Sequence, residues 1–145
     1  MITEYTYPDR KVREPGSLRK GIFRMKTRII ICGCKDFSNR EFCFNRLDSI
    51  LSEYKEVEIV SGHAKGADSF GEEYAKKHGL PLKIFTPDWK RYGRAAGPIR
   101  NREMLNYSLE AKPVVIAFWN RTSKGTKDMI NQATKAGVKV HIVDI

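Results

Sequence analysis

Two segments of the sequence combine glycine, lysine and small hydroxyl side chains in a way that suits phosphate binding. Residues 61–68 read SGHAKGAD and residues 119–126 read WNRTSKGT, and each follows a short apolar run. Glycine lets the backbone approach a ligand closely, and a helix that starts there presents free N–H groups to an anion. Each segment taken alone is also typical of an ordinary strand-to-helix turn with a polar cap. The candidate ligand-binding residues of the two segments are Ser61, Gly62, His63, Lys65, Gly66, Asp68, Ser123, Gly125 and Thr126.

A third segment, residues 88–102, holds four Arg, one Lys, two aromatic residues and two glycines. Arginine suits bidentate recognition of phosphate or carboxylate, and an aromatic side chain can stack on a base. We favour this interpretation over a surface loop whose aromatic residues pin it to the core, because long loops in compact domains usually have a function. Its candidate ligand-binding residues are Asp88, Trp89, Arg94, Arg100, Asn101 and Arg102.

Acidic residues lie where a catalytic base would stand. Asp36 follows the first apolar run, beside the candidate ligand contacts Gly33 and Lys35, and Asp128 falls at the start of the last predicted helix. Either carboxylate could act as a base or stabilise an oxocarbenium ion, with Arg100 orienting the substrate. The sequence contains neither a nucleophile-elbow motif nor a Walker lysine motif.

The charge of the chain favours an anionic partner. It has 145 residues, with 27 Lys and Arg against 17 Asp and Glu, a formal net charge of +10. Residues 1–26 carry seven basic and three acidic side chains, a net +4. We expect an irregular basic extension over residues 1–25 and one domain over residues 26–145. Such a charge favours nucleic acid, nucleotide or phosphate without choosing among them.

The three cysteines and the hydropathy pattern predict a cytoplasmic protein. No Cys/His spacing resembles a zinc site, so we expect no metal and a reducing compartment. No apolar run approaches the roughly 20 residues of a membrane span, so no membrane partner is expected.

The elements that must position these residues alternate regularly. Short apolar runs predict strands at 28–33, 57–61, 82–85, 113–118 and 138–143. Helices are expected after a capping box with Ser38 at the cap, and over 67–78, 99–109 and 125–136, with a long loop at 88–98. This alternation predicts an α/β fold, a single three-layer domain whose parallel sheet has helices on both faces. Ligands of such sheets bind outside the carboxyl ends of the strands, where the candidate residues fall.

The motifs together resemble the SLOG superfamily, which includes the LOG phosphoribohydrolases and DNA-processing protein A. Residues 61–68 resemble its S-G-x-A-[RK]-G-x-D motif, residues 100–102 its R-N-R segment and residues 123–126 its G-x-G-T phosphate loop. The string from residue 88 to residue 104 is closer still to the YspA-like branch. The resemblance covers residues 26–145. It implies a Rossmann-like sheet of strand order 3-2-1-4-5 and a nucleotide-type ligand, and the dimeric LOG relatives imply a homodimer.

The sequence departs from the LOG pattern at its catalytic loop. LOG enzymes carry P-G-G-x-G-T-x-x-E with a catalytic Glu, and the corresponding position here is Met129, one residue after Asp128. Thr122 and Ser123 replace the double glycine. Our first hypothesis is therefore binding of a nucleotide or nucleotide-derived phosphate ligand by a sensor, with no further cofactor. The alternatives are N-glycosidic or phosphoester hydrolysis of such a nucleotide and single-stranded nucleic-acid binding.

Overall fold

The computed structural model describes residues 25–145, so the extension expected over residues 1–25 lies outside the described residues, apart from Met25. Five strands form one parallel sheet of order β3-β2-β1-β4-β5, which confirms the α/β fold class. The strands are β1 (Thr27–Gly33), β2 (Val57–Ser61), β3 (Leu82–Ile84), β4 (Lys112–Trp119) and β5 (Lys139–Asp144).

Helices cover both faces of the sheet. They are α1 (Arg40–Leu51), α2 (Ala67–Lys77), the short α3 (Trp89–Tyr92), α4 (Ala96–Leu109) and α5 (Lys124–Lys135), with a 3-10 turn at Gly93–Ala95. Alternate residues of a strand point to opposite faces. Ile29 and Ile31 accordingly pack with residues of α1 and α2, whereas Ile30 and Cys32 pack with residues of α4 and α5. The sheet is therefore the middle one of three layers, with helices and a hydrophobic core on each of its two faces.

The strand order changes direction at β1: successive strands are added first on one side of β1 and then on the other. From β1 the chain runs outward through β2 to β3, then returns to place β4 on the other side of β1. The register sets Gly33 at the end of β1 against Phe118 of β4. A crevice at the carboxyl ends of these two strands is the expected binding place in such a sheet.

Two local predictions were wrong. The loop expected at 88–98 is largely helical, because the Asp88 carboxylate accepts a hydrogen bond from the Arg91 N–H at 3.1 Å and caps α3. Helix α4 then begins at Ala96, with Pro98 in its first turn, where proline's missing N–H has no intrahelical partner to lose. The cap of α1 is Asn39 and not Ser38, since the Asn39 Oδ1 accepts from the Phe42 N–H at 3.0 Å.

Within residues 25–145, no helix has both the length and the apolar character that crossing a membrane requires.

Candidate functional site

A cavity of about 420 Å³ opens at the carboxyl edge of the sheet, where β1 and β4 end. We call it the edge cavity. Its walls come from the end of β1 and the loop that follows it, the loop after β4, the start of α2 with the loop before it, the middle of α4, and the first turn of α5. The lining residues are Cys32, Gly33, Cys34, Lys35, Asp36, Ala64, Asp68, Arg100, Asn101, Met104, Asn120, Thr122, Ser123, Lys124, Gly125 and Thr126.

The edge cavity brings together about half of the residues singled out from the sequence. Those that line it are Gly33, Lys35, Asp36, Asp68, Arg100, Asn101, Ser123, Gly125 and Thr126. Those that stand outside its lining are Ser61, Gly62, His63, Lys65, Gly66, Asp88, Trp89, Arg94, Arg102 and Asp128. The lining also includes residues that were not among the candidates, although they lie in the same strand-end loops: Cys34, Ala64, Asn120 and Thr122. Lys124, which lies in the segment 119–126 that the sequence singles out, lines the cavity as well. Cys32 lies in an apolar run of β1, and Met104 is a buried apolar residue of α4, so the types of these residues gave no sign of a site.

The first turn of α5 forms one wall of the edge cavity. The Ser123 Oγ accepts from the Thr126 N–H at 3.4 Å and lies 2.9 Å from the Thr126 Oγ1, so Ser123 is the helix cap. The Asn120 Oδ1 accepts from the N–H groups of Thr122 and Ser123, each at 2.9 Å, and fixes the turn before the helix. The N–H groups of Lys124 and Gly125 lie in the first turn of α5, where no preceding helical turn offers a carbonyl group to accept from them, so they can donate to an anion.

Gly125 leaves this wall open. A Cβ atom built at Gly125 meets nothing within 4 Å. The glycine is therefore not required by packing inside the chain, and its missing side chain keeps space free beside the first turn of α5.

Arg100 supplies a fixed positive charge to the opposite wall. Its Nη1 donates to the Gly62 carbonyl and its Nε to the Asn101 Oδ1 at 3.1 Å. A Cβ at Gly62 would stand 2.6 Å from the Arg100 Nη1, so glycine at this position makes room for the guanidinium. Gly62 therefore makes room for the Arg100 side chain and does not itself line the edge cavity.

Gly66 also has a packing role. Its φ is +75°, and a Cβ there would collide with the Cys34 carbonyl and stand 2.8 Å from the Lys35 carbonyl. The loop after β1 therefore lies directly against the start of α2, and only glycine permits this approach.

Asp68 is a buried carboxylate that lines the edge cavity. It is 4% exposed, and its Oδ2 accepts from the Ala64 N–H at 3.3 Å. Burial raises the pKa of Asp68 to about 6, although its hydrogen bond from the Ala64 N–H and the positive charge of Arg100 act in the opposite direction. A carboxyl group with a raised pKa beside a cavity is typical of functional sites, and such a group can also be purely structural.

Ser61 and His63 form a hydrogen-bonded network with Glu72 outside the edge cavity. The buried Glu72 carboxylate accepts from the Ser61 Oγ at 2.7 Å and contacts the His63 Nδ1 at 2.9 Å. The same Ser61 Oγ accepts from the His63 N–H at 3.0 Å. This network holds the loop that carries Gly62, and through it Arg100.

Asp128 couples α5 to α4. Its Oδ2 accepts from the Asn101 Nδ2 at 2.9 Å and from the Gln132 Nε2 at 2.8 Å. Asn101 also donates to the Gly125 carbonyl at 3.3 Å. Asp128 is therefore engaged in holding the first turn of α5, and Asp36 and Asp68 are the carboxylates that reach the cavity lining.

The basic and aromatic residues of α3 face outward. Trp89 is 59% exposed and Tyr92 is 38% exposed. Arg94 and Arg102 are exposed as well. None of these side chains lines the edge cavity.

Over residues 25–145, no group of three or more His, Cys, Asp or Glu side chains is arranged to hold a metal ion. The three cysteines are buried free thiols.

Known proteins match both the sequence and the fold. The model of the YspA, cpYpsA-related SLOG family matches residues 27–92. The Gene 61 protein of Mycobacterium phage D29 is 31% identical over 120 residues, which span 78% of this chain and 93% of that protein. The chain belongs to the YspA, cpYpsA-related SLOG family. The family match includes the Gly62 and Gly66 turn and ends at Tyr92, before Arg100.

The SLOG fold also matches a solved structure. DNA processing protein A from Streptococcus pneumoniae superimposes with a TM-score of 0.61 at 18% identity. The alignment covers 81% of this chain and 50% of that protein, so the chain spans about half of its length. At this level of identity the likeness concerns the fold.

Proposed function

We propose that the edge cavity binds a nucleotide or a nucleotide-derived phosphate ligand, with the phosphate at the first turn of α5. Membership of the SLOG family supports a nucleotide-related or nucleic-acid-related role in general terms. One observation supports phosphate binding at this place in particular. The N-terminus of α5 and the guanidinium of Arg100 line the same cavity at the strand ends. The positive end of the helix dipole and the arginine both favour an anion.

The size and charge of the edge cavity suit such a ligand. Its volume of about 420 Å³ lies in the range of about 300–1,000 Å³ that small-molecule sites occupy. Lys35, Arg100 and Lys124 stand in the lining, against the carboxylates of Asp36 and Asp68. Gly125 leaves space beside the free N–H groups. A protein that binds such a ligand without turning it over would act as a sensor.

Two arginines of α4 provide a matched pair of variants that tests nucleotide binding in the edge cavity. Arg100 lines the edge cavity, whereas Arg102, two residues later on α4, is exposed and stands outside it. Nucleoside monophosphates should raise the melting temperature of the wild type and of Arg102→Gln, and Arg100→Gln should lose most of this stabilisation. Equal responses of the two variants, or no stabilisation of the wild type by any nucleotide, would contradict the proposal.

A second candidate function is binding of single-stranded nucleic acid on the α3 surface. The exposed rings of Trp89 and Tyr92 stand beside Lys90, Arg91 and Arg94, all exposed. Exposed aromatic rings that stack on bases, next to cations that meet phosphates, are the usual components of such a surface.

Salt dependence tests this second candidate. Neutralising Lys90, Arg91 and Arg94 to Gln should reduce the slope of log affinity against log salt by about two for a labelled oligonucleotide. The charge-matched control neutralises three exposed lysines on other parts of the surface, Lys76, Lys135 and Lys139. No binding by the wild type at low salt, or equal losses in both triple variants, would exclude this surface.

Hydrolysis of the bound nucleotide is the enzymatic alternative, favoured by the raised pKa of Asp68 in the cavity. A carboxyl group with a pKa near neutrality can donate a proton to a leaving group. Incubation with nucleoside monophosphates should then release free base or phosphate, and Asp68→Asn should abolish the release. An unchanged rate in that variant would remove Asp68 from the mechanism.

A further inference from the structure

A second cavity, of about 520 Å³, adjoins the edge cavity on the side of α1. The two share Cys34, Asp36 and Asn120 as lining residues. We call this second cavity the aromatic hollow, since the rings of Phe37 and Phe42 are among its walls. Its lining residues are Cys34, Asp36, Phe37, Ser38, Asn39, Phe42, Asn120, Asp144 and Ile145.

The aromatic rings that line the hollow pack against other aromatic rings of the core. The Phe37 ring stacks on the buried Phe118 with centroids 5.3 Å apart and meets the Phe70 ring edge-on at 5.7 Å. Phe42 lies edge-on to Phe37 at 6.3 Å. Rings that are packed on several sides present a preformed apolar face, so a ligand need not order them on binding.

The two cavities differ in charge. Lys35, Arg100 and Lys124 line the edge cavity. In the part of the chain that the structure describes, no Lys or Arg lines the aromatic hollow. Its charged lining side chains are Asp36 and Asp144, and the Asp144 carboxylate is paired with Arg121 at 2.8 Å, which leaves Asp36, among the described residues, as the unpaired charge of the lining. An anionic group is therefore favoured in the first cavity and disfavoured in the second.

We propose that the aromatic hollow receives the base of a nucleotide whose phosphate occupies the edge cavity, so that the ligand lies across the shared wall of Cys34, Asp36 and Asn120. This proposal rests on the proposed function of the edge cavity. The base is apolar on its faces and carries N–H donors on its edge. The Phe37 and Phe42 rings supply the apolar surface, and the Asp36 carboxylate and the Ser38 hydroxyl can accept from the edge of the base.

Isoleucines on and just after β5 provide the matched variants. Ile145 is 42% exposed and lines the hollow, whereas Ile142 is 39% exposed and lines neither cavity. Replacing either side chain by Ala removes the same atoms from a partly exposed position, so both variants should fold.

The experiment is calorimetric titration with inorganic phosphate, ribose 5-phosphate and the four nucleoside 5′-monophosphates. At least one nucleotide should bind about tenfold or more tightly than ribose 5-phosphate, because base stacking on the rings adds apolar contact. Ile145→Ala should weaken binding of this nucleotide by about three- to tenfold and leave binding of inorganic phosphate unchanged, since the methylene and the two methyl groups that are removed lie in the hollow and not in the edge cavity. Ile142→Ala should bind every compound as the wild type does.

Two results would overturn the proposal while leaving the edge cavity intact. One is binding of ribose 5-phosphate as tightly as every nucleotide, and the other is an equal response of the two isoleucine variants. If the wild type binds none of the compounds, inorganic phosphate included, the proposed function of the edge cavity fails together with this one.

Discussion

The buried carboxylate of Asp68 should make the stability of the protein depend on pH in a direction opposite to that of an ordinary salt-bridged acid. Its pKa of about 6 in the folded protein exceeds the ordinary 3.8. Between these two values the folded state binds more protons than the unfolded state, so stability falls as pH rises. Below pH 3.8 this effect is absent. Above pH 6 it reaches its full size of about 3 kcal/mol, since one pKa unit corresponds to about 1.4 kcal/mol.

The variant Asp68→Asn isolates this effect. Asparagine keeps the shape of the side chain and an oxygen that can accept from the Ala64 N–H, and it cannot ionise. The stability of the variant relative to the wild type should rise by about 2 kcal/mol between pH 4.5 and pH 7.5. Urea denaturation of both proteins at the two pH values measures this difference, and the other carboxylates cancel in the comparison. If the stability difference between the variant and the wild type did not change with pH, burial would not raise the pKa of Asp68, and the effect described here would be absent.

Further predictions concern the glycines and the cap of α1. Gly66→Ala should destabilise the protein by more than about 1 kcal/mol, because φ is positive and the Cβ meets backbone carbonyls. Gly125→Ala should stabilise it by about 0.5 kcal/mol, since alanine favours the helix and its Cβ meets open space, while phosphate binding weakens. Thermal denaturation with and without phosphate measures both, and equal effects of the two substitutions would contradict the assignment of their roles. Asn39→Ala should cost about 1 kcal/mol through loss of the cap, whereas Ser38→Ala should cost almost nothing. The reverse order in urea denaturation would restore Ser38 as the cap.

The fold could be predicted from the sequence because its signals are local and repeated. The three central strands β1, β2 and β4 are short, mostly apolar runs that are largely buried on both faces. Gly79 and Gly137, which both have positive φ, mark where α2 and α5 end. The helical character of residues 88–98 could not be read in the same way. It depends on the cap formed by Asp88 and on the tolerance of a helix's first turn for Pro98, whereas glycine and proline usually indicate a loop.

The sequence predicted candidate ligand-binding residues at the carboxyl edge of the sheet, and about half of them line the cavity that the structure has there. The strand-end rule placed Lys35, Arg100 and Thr126 near one another, and all three line the cavity. The roles of the glycines could not be separated, since Gly66 and Gly125 occupy similar places in their motifs. Only the three-dimensional packing shows that one lies against the chain and the other faces open space.

Binding of an anion at the first turn of α5 can be located directly by the chemical shifts of the backbone amides. Inorganic phosphate should be titrated into the ¹⁵N-labelled protein. We expect saturable shifts that are largest at the amides of Lys124, Gly125 and Thr126. Shifts that are absent there, or that are confined to the exposed residues of α3, would contradict binding at this turn.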